Sequence, residues 1–188
     1  NDTFGNILPC GAESWEVSED GLTWTFHLRA GQYWYDADGN QKDPVTANDY
    51  VAAARYVCDS AMDCANSYLM KGWIVNAEEL LNYTAAQLAS PVEQGTEAGE
   101  DQDYVIDANG IIYEGSDWNK ETEKYDTWTE VPAVTPEDLG VEAVDDLTLV
   151  YHMVKPRPYF LTALQFGTYW PAPASLLAEL GENYGLDN

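Results

Sequence analysis

The reading of residues 12–31, AESWEVSEDGLTWTFHLRAG, decides the fold. Trp15 and Val17 alternate with Glu16 and Ser18, SEDG supplies a turn, and Trp24, Phe26 and Leu28 then alternate with Thr25, His27 and Arg29. A period of two is the mark of a strand with one dry side, so the segment predicts a β-hairpin. Large rings spaced in this way serve as core filler more often than as a platform for a ligand. Trp34 is placed to continue the same face.

Working outward, the chain has 188 residues, 45% hydrophobic and 13% aromatic. That is enough for one domain with its own core, since a chain of this size hides roughly 70% of its extended surface on folding. Eight Lys and Arg stand against 33 Asp and Glu, a net charge of −25. Nucleic-acid affinity comes largely from cations that displace counterions, so DNA, RNA and anionic membrane surfaces are poor partners. The charge reads as a solvated, self-repelling surface. Residues 158–178 carry no charge, but Gln165, Gly167, Thr168, Pro171, Pro173 and Ser175 interrupt them, so a helix, a loop and a second helix are expected instead of a membrane span. Residues 1–9 lack the basic and apolar regions of a signal peptide.

Local punctuation places the other elements. In DADGNQKDPVTAND, from Asp36, a turn feeds a helix: Thr46 is a good N-cap and Asp49 the capping acid. Ala47, Tyr50, Val51, Ala54 and Val57 then recur at helical spacing to about Cys58. Asn76 and Glu79 form a second capping pattern, for a helix carrying Leu80 and Leu81. From about 90 to 134 the chain turns acidic and poor in aliphatics, except for YVID and IIYE around DANG, which predict a solvent-facing hairpin on an insertion. Trp118, Tyr125 and Trp128 in that stretch need cover. TPEDLG reads as one helical turn, and GVEAVDDLTLVYHMV as strand, turn and strand with Leu147, Leu149, Tyr151 and Met153 on one face and His152 on the other. KPRPYFLTALQF predicts a proline-started helix, GTYWPAP an extended loop and SLLAELGENYG a short helix.

The chain carries no catalytic pattern. Its two histidines, His27 and His152, lie in alternating strands without a partner, and there is no Gly-rich phosphate loop, HExxH or CxxC. With so many acids, any pair chosen for glycoside hydrolysis would be arbitrary. DADGN and DANG fail the calcium-loop spacing. Of Cys10, Cys58 and Cys64, the last two could close a small loop in an oxidising compartment or stand as a reduced pair, and neither histidine is at zinc-ligand spacing from them. No catalytic residue, metal or cofactor is expected.

Six motifs, taken in order, carry a resemblance: AESWEVSEDGLTWTFHLRAG, a following Trp, DPVTANDY opening a helix, SYLMKGWIVNAEEL, LGVEAVDDLTLVYHMVKPRPYFLTAL and TYWPAP. Together they resemble the extracellular solute-binding proteins of peptide ABC transporters, the oligopeptide- and dipeptide-binding family 5. The resemblance implies an α+β fold, a mainly antiparallel sheet flanked by helices, forming a subdomain of a two-lobed periplasmic-binding-protein-like fold. Residues 1–188 would be a single subdomain of the first lobe of a longer protein, with an acidic insertion at about 90–134.

The same resemblance implies a binding component for oligopeptide uptake and no enzyme. Its partners would be a peptide, enclosed with the missing lobe, and the permease subunits of the transporter. It would sit on the extracellular side of the cytoplasmic membrane, as a surface lipoprotein or in the periplasm. Relatives present a tyrosine to the ligand just ahead of the segment resembling SYL. Here MDCANSYL occupies that place, which puts Cys64 or Ala65 opposite the expected ring and offers Asn66 and Tyr68 as substitutes, so Cys64, Asn66 and Tyr68 are the candidate ligand contacts. The plainer alternative is that Asn66 and Tyr68 brace the loop. The loop YDADGNQKDP and the acidic insertion are longer than is usual in relatives, through structural drift or for contact with the permease. The rival reading, from Trp and Tyr richness, is a carbohydrate-binding or adhesion module; exposed coplanar rings would favour it, buried rings the transport reading.

Overall fold

In the computed structural model, which describes residues 8–93 and 103–185, the expected hairpin forms. Strands β1 (Ala12–Val17) and β2 (Thr23–Leu28) pair antiparallel. Asp20 shapes the turn between them, accepting from the Ser18 hydroxyl at 2.6 Å and the Leu22 N–H at 3.0 Å. A short hairpin of β3 (Tyr33–Tyr35) and β4 (Gln41–Pro44) follows, and then helix α1 (Ala47–Val57). After a loop with two short 3-10 turns comes α2 (Ala77–Leu88), then β5 (Val92–Glu93), β6 (Tyr104–Ile106), β7 (Ile112–Asn119) and β8 (Lys124–Glu130). The chain returns through β9 (Val141–Asp145) and β10 (Thr148–His152) to α3 (Phe160–Ala163) and α4 (Ala174–Leu180).

The main sheet has the order β1-β2-β10-β9 and is antiparallel throughout, as the α+β reading requires. Register places Phe26 opposite Leu149 and Trp24 opposite Tyr151, so the apolar sets of both strands share one face. Trp24, Phe26, Leu28, Leu149, Tyr151 and Met153 are all buried there beneath α1 and the start of α2. Phe160, fully buried, is the hub: its ring meets Tyr151 at 5.3 Å, Tyr169 at 5.5 Å and Trp24 at 5.7 Å, each in an edge-to-face geometry. The rings of the opening stretch are therefore interior packing. On the opposite, wetter face His27 pairs with Glu16 and His152 with Glu142.

Asp49 ties three elements to this core. It is buried, and its carboxylate accepts from the Thr46 N–H at 2.8 Å, the Trp34 indole at 3.2 Å and the Ala174 N–H at 2.8 Å. The helix start, the β3 hairpin and the start of α4 thus converge on one side chain.

Three local expectations come out differently. Asn76 precedes α2 in a left-handed conformation (φ 60°), and its side chain donates across to the Asp138 carbonyl at 2.7 Å instead of capping the helix with Glu79. The helix expected after Pro158 is a single turn that opens with the buried Phe160 and is capped at Leu164. The hairpin around DANG forms, with Asp107 accepting from the Asn109 and Ile111 N–H groups, but β7 continues into a second hairpin with β8. This second sheet, β5-β6-β7-β8, is seated on α2 by a small core of Ala86, Ile112 and Val131. Residues 94–102 of the expected insertion lie outside the described residues.

Candidate functional site

The candidate contacts Cys64, Asn66 and Tyr68 lie together on the loop of residues 59–70, between α1 and α2. Its base is anchored on both sides. The Ser60 hydroxyl donates to the Leu81 carbonyl at 2.8 Å, the Ser60 N–H donates to Thr84 Oγ1 at 2.9 Å, and Asp59 accepts from the Ala61 N–H. Asp63 turns the chain with a left-handed φ of 46°. Backbone bonds from Ser67 to Cys64 and from Leu69 to Asn66, both 3.0 Å, then wind the segment into a 3-10 turn. From the other side, the Tyr169 hydroxyl donates to the Leu69 carbonyl at 2.8 Å. The loop is thus held by helix α2 and by the segment after α3, both distant in sequence.

On this base the three candidates differ. Tyr68 is 61% exposed, a large ring offered to solvent beside fixed backbone. Asn66 is exposed and its side chain makes no capping bond. Cys64 is half-buried; burial first, and then the Asp63 and Asp59 carboxylates, push its thiol up, so at neutral pH it is a weak nucleophile. Cys58 beneath it is buried against Met70 Sδ at 3.5 Å, with its thiol pushed up to about 12 by burial. The two thiols are free.

Sequence reasoning missed a neighbouring corner. Arg157 lies 4.6 Å over the Trp73 ring, donates to the Gly72 carbonyl at 2.9 Å and to the Tyr159 hydroxyl at 3.3 Å, and Tyr159 meets Trp73 edge-on at 5.5 Å. Only the adjacency of KGW and PRPY to apolar runs hinted at it. Nor did the sequence foretell an open apolar cavity of about 580 Å3, in which Trp15, Phe26 and Tyr151 of the sheet face Leu161, Leu164 and Trp170. Trp170 at its rim is 61% exposed.

Acid–base chemistry finds no assembly here. His152 Nε2 stands 3.5 Å from Glu142 on a cleft of about 410 Å3, and both side chains are largely solvated. No Ser, Thr or Cys lines that cleft to be activated. Among the described residues no group of three or more His, Cys, Asp or Glu could hold a metal ion, and no helix is long and apolar enough to cross a membrane.

Comparison with known proteins supplies the context for this geometry. The family description "Bacterial extracellular solute-binding proteins, family 5 Middle" matches residues 6–184. The oligopeptide-binding protein AmiA of Streptococcus pneumoniae serotype 4 is 25% identical over 184 residues, which are 98% of this chain and 20% of AmiA. Among solved structures, the substrate-binding domain of an oligopeptide ABC transporter from Bacillus anthracis aligns with a TM-score of 0.61 and 27% identity, over 95% of this chain and 24% of that one. Haemophilus influenzae OppA in complex with RPPGFSPFR aligns at 0.60 with 28% identity, over 97% and 25%. The chain therefore spans between a fifth and a quarter of the length of these relatives, all of them binding proteins.

Proposed function

The chain belongs to the bacterial extracellular solute-binding proteins of family 5, and from that premise we propose that it is one subdomain of an oligopeptide carrier that feeds an ABC permease. The observation that carries the reading is the family match over residues 6–184 together with relatives over nearly the whole chain that are named for oligopeptide binding. The local structure agrees with it: Trp24 and Phe26 of the opening hairpin are buried instead of forming a sugar platform, and the histidines sit on the wetter sheet face without a nucleophile. The carrier does no chemistry on its ligand. Peptide is enclosed between this lobe and a second one, its main chain met by backbone and charged groups, its side chains by water-filled pockets; closure then presents the carrier to the permease. It works outside the cytoplasm, as a lipoprotein or in the periplasm.

In this reading residues 1–188 are a subdomain of the first lobe and the acidic stretch at about 90–134 is an insertion. The apolar cavity against α3 is where the remainder of the lobe packs. The ligand contact offered from here is the loop of residues 59–70, with the Tyr68 ring as the leading group and Asn66 and Cys64 beside it. The test is calorimetry with a pool of short peptides free of Lys and Arg. Residues 1–188 alone should give no heat, and the product of the whole open reading frame should bind, with affinity weakened by Tyr68→Ala. Micromolar binding of that pool by residues 1–188 alone would overturn the division into lobes; unchanged affinity in Tyr68→Ala would remove the loop from the site.

A further inference from the structure

Four rings of the β7–β8 hairpin belong to neither hydrophobic core, Tyr113, Trp118, Tyr125 and Trp128, and the last three meet one another. Register makes Trp118 the partner of Tyr125 and Gly115 the partner of Trp128. The Tyr125 ring lies flat across Gly115, so close that a Cβ there would stand 2.5 Å from its ring carbons. That contact explains the glycine in mid-strand: it is the seat of a ring. Trp118 and Trp128 flank this floor at centroid distances of 5.0 and 5.4 Å, each inclined to it by 69°. A left-handed residue, Asp117 (φ 59°), breaks the strand's alternation at this point and lets Trp118 join the side of Gly115. All three rings are half-buried by one another and covered by nothing else named in the two cores.

Carboxylates surround them. The Tyr125 hydroxyl donates to Asp103, and Glu130, two residues along β8 from Trp128, projects on the same side of the strand. Residues 103–130 hold eight Asp and Glu against Lys120 and Lys124. Electron-rich ring faces set at an angle to one another, inside a field of negative charge, favour an organic cation over an anion or a neutral chain.

We propose that this face of β7 and β8 is a recognition site for a basic peptide segment, whose Lys or Arg side chain seats its charge on the Trp118–Tyr125–Trp128 rings while Asp103 and Glu130 draw it in. The guanidinium or ammonium lies over the rings and the side-chain methylenes cover them, a cover that neither hydrophobic core of the described residues supplies. The site is independent of the carrier reading, whose test uses peptides without Lys or Arg.

The test is an NMR titration of the indole N–H signals of residues 1–188 with a short end-blocked peptide of alternating Lys and Ala, beside the same peptide with norleucine for Lys, and with maltohexaose. The indoles of Trp118 and Trp128 should shift with the Lys peptide alone, while the Trp24 signal stays fixed and reports the fold. Trp118→Ala and Trp128→Ala should each weaken binding about tenfold, the scale of one cation–π contact. Gly115→Ala, which unseats Tyr125, should act similarly, and Tyr125→Phe, which keeps the ring, should bind within about twofold. Three results overturn the proposal: equal shifts with the norleucine peptide, which would make the strip an apolar seat; shifts with the oligosaccharide instead; or Lys-peptide binding unchanged in Trp118→Ala and abolished by salt, which would be attraction to the net charge of −25 alone.

Discussion

Removing the Asp49 carboxylate is the most demanding test of the fold described here. The side chain is 6% exposed and accepts three hydrogen bonds, from Thr46 N–H, Ala174 N–H and Trp34 Nε1, at 2.8, 2.8 and 3.2 Å. Asp49→Ala leaves all three donors without an acceptor. Hydrogen bonds to a charged group contribute about 1.5–3 kcal/mol each, but these donors are half-buried and water can reach some of them, so the low end applies and the sum is about 3–5 kcal/mol. For a chain of this length each kcal/mol moves the midpoint by about 2–4 °C, so the thermal transition should fall by roughly 10 °C. Two companions apportion the loss. Trp34→Phe removes the indole donor together with half of the bicyclic ring, and should cost at least about 1 kcal/mol. Asp49→Asn keeps one acceptor oxygen but turns an NH2 toward a donor, and should lie between Trp34→Phe and Asp49→Ala. The assay is urea denaturation followed by circular dichroism, with thermal melts as a check. A loss below about 1 kcal/mol in Asp49→Ala would mean that water replaces the carboxylate, and the convergence of α1, β3 and α4 on it would not be a source of stability.

Two further outcomes follow from the ionisation of buried and turn-forming groups. At pH 8 a thiol reagent should modify exposed Cys10 first, half-buried Cys64 slowly, and Cys58 only on unfolding, since burial raises both of the latter; rapid modification of Cys58 in the native protein would contradict its packing against Met70. Asp20, Asp36, Asp107, Asp138 and Asp145 are held below the ordinary aspartate range, chiefly by hydrogen bonds from Ser18, Asn40, Ile111, Thr135 and Leu147 respectively. A carboxylate depressed in the folded state stabilises it above the unfolded value and loses that contribution as pH falls through the folded one. Stability should therefore drop below about pH 4, and carboxyl carbon titrations of these five should have midpoints under that of free aspartate. Ordinary midpoints at Asp36 and Asp107 would show that their turns are open in solution.

Much of the fold is legible because local pattern and burial agree. Trp15 to Val17 and Trp24 to Leu28 alternate on either side of a marked turn, and a register that pairs Phe26 with Leu149 needs no information beyond two apolar faces and a shared core. Thr46 and Asp49 mark the start of α1 for the same reason: the capping bond is made within three residues. Prediction from pattern weakens where a side chain leaves its neighbourhood. Asn76 is placed as a cap, yet its amide spends its bond 62 residues away at Asp138, and no short-range signal separates the two uses. Asp49 reads as a cap and is one, but its bonds to Trp34 and Ala174 make it a buried junction, and the second partner is 125 residues distant.

The candidate site was harder to read than the fold for a related reason. The loop of residues 59–70 has no period, so the sequence locates it only by its place between two helices, and its shape is dictated from outside by Ser60 on Leu81 and by Tyr169 on Leu69. Tyr169 is itself packed against Phe160, the first residue of the single-turn helix that stands where the sequence predicts a longer one. The same ring that closes the core therefore fixes the ledge on which Tyr68 stands. This gives the chain of cause a direction that a single substitution can probe: Tyr169→Phe keeps the ring in the core and frees the Leu69 carbonyl, so any change at Tyr68 would be transmitted through one hydrogen bond rather than through repacking.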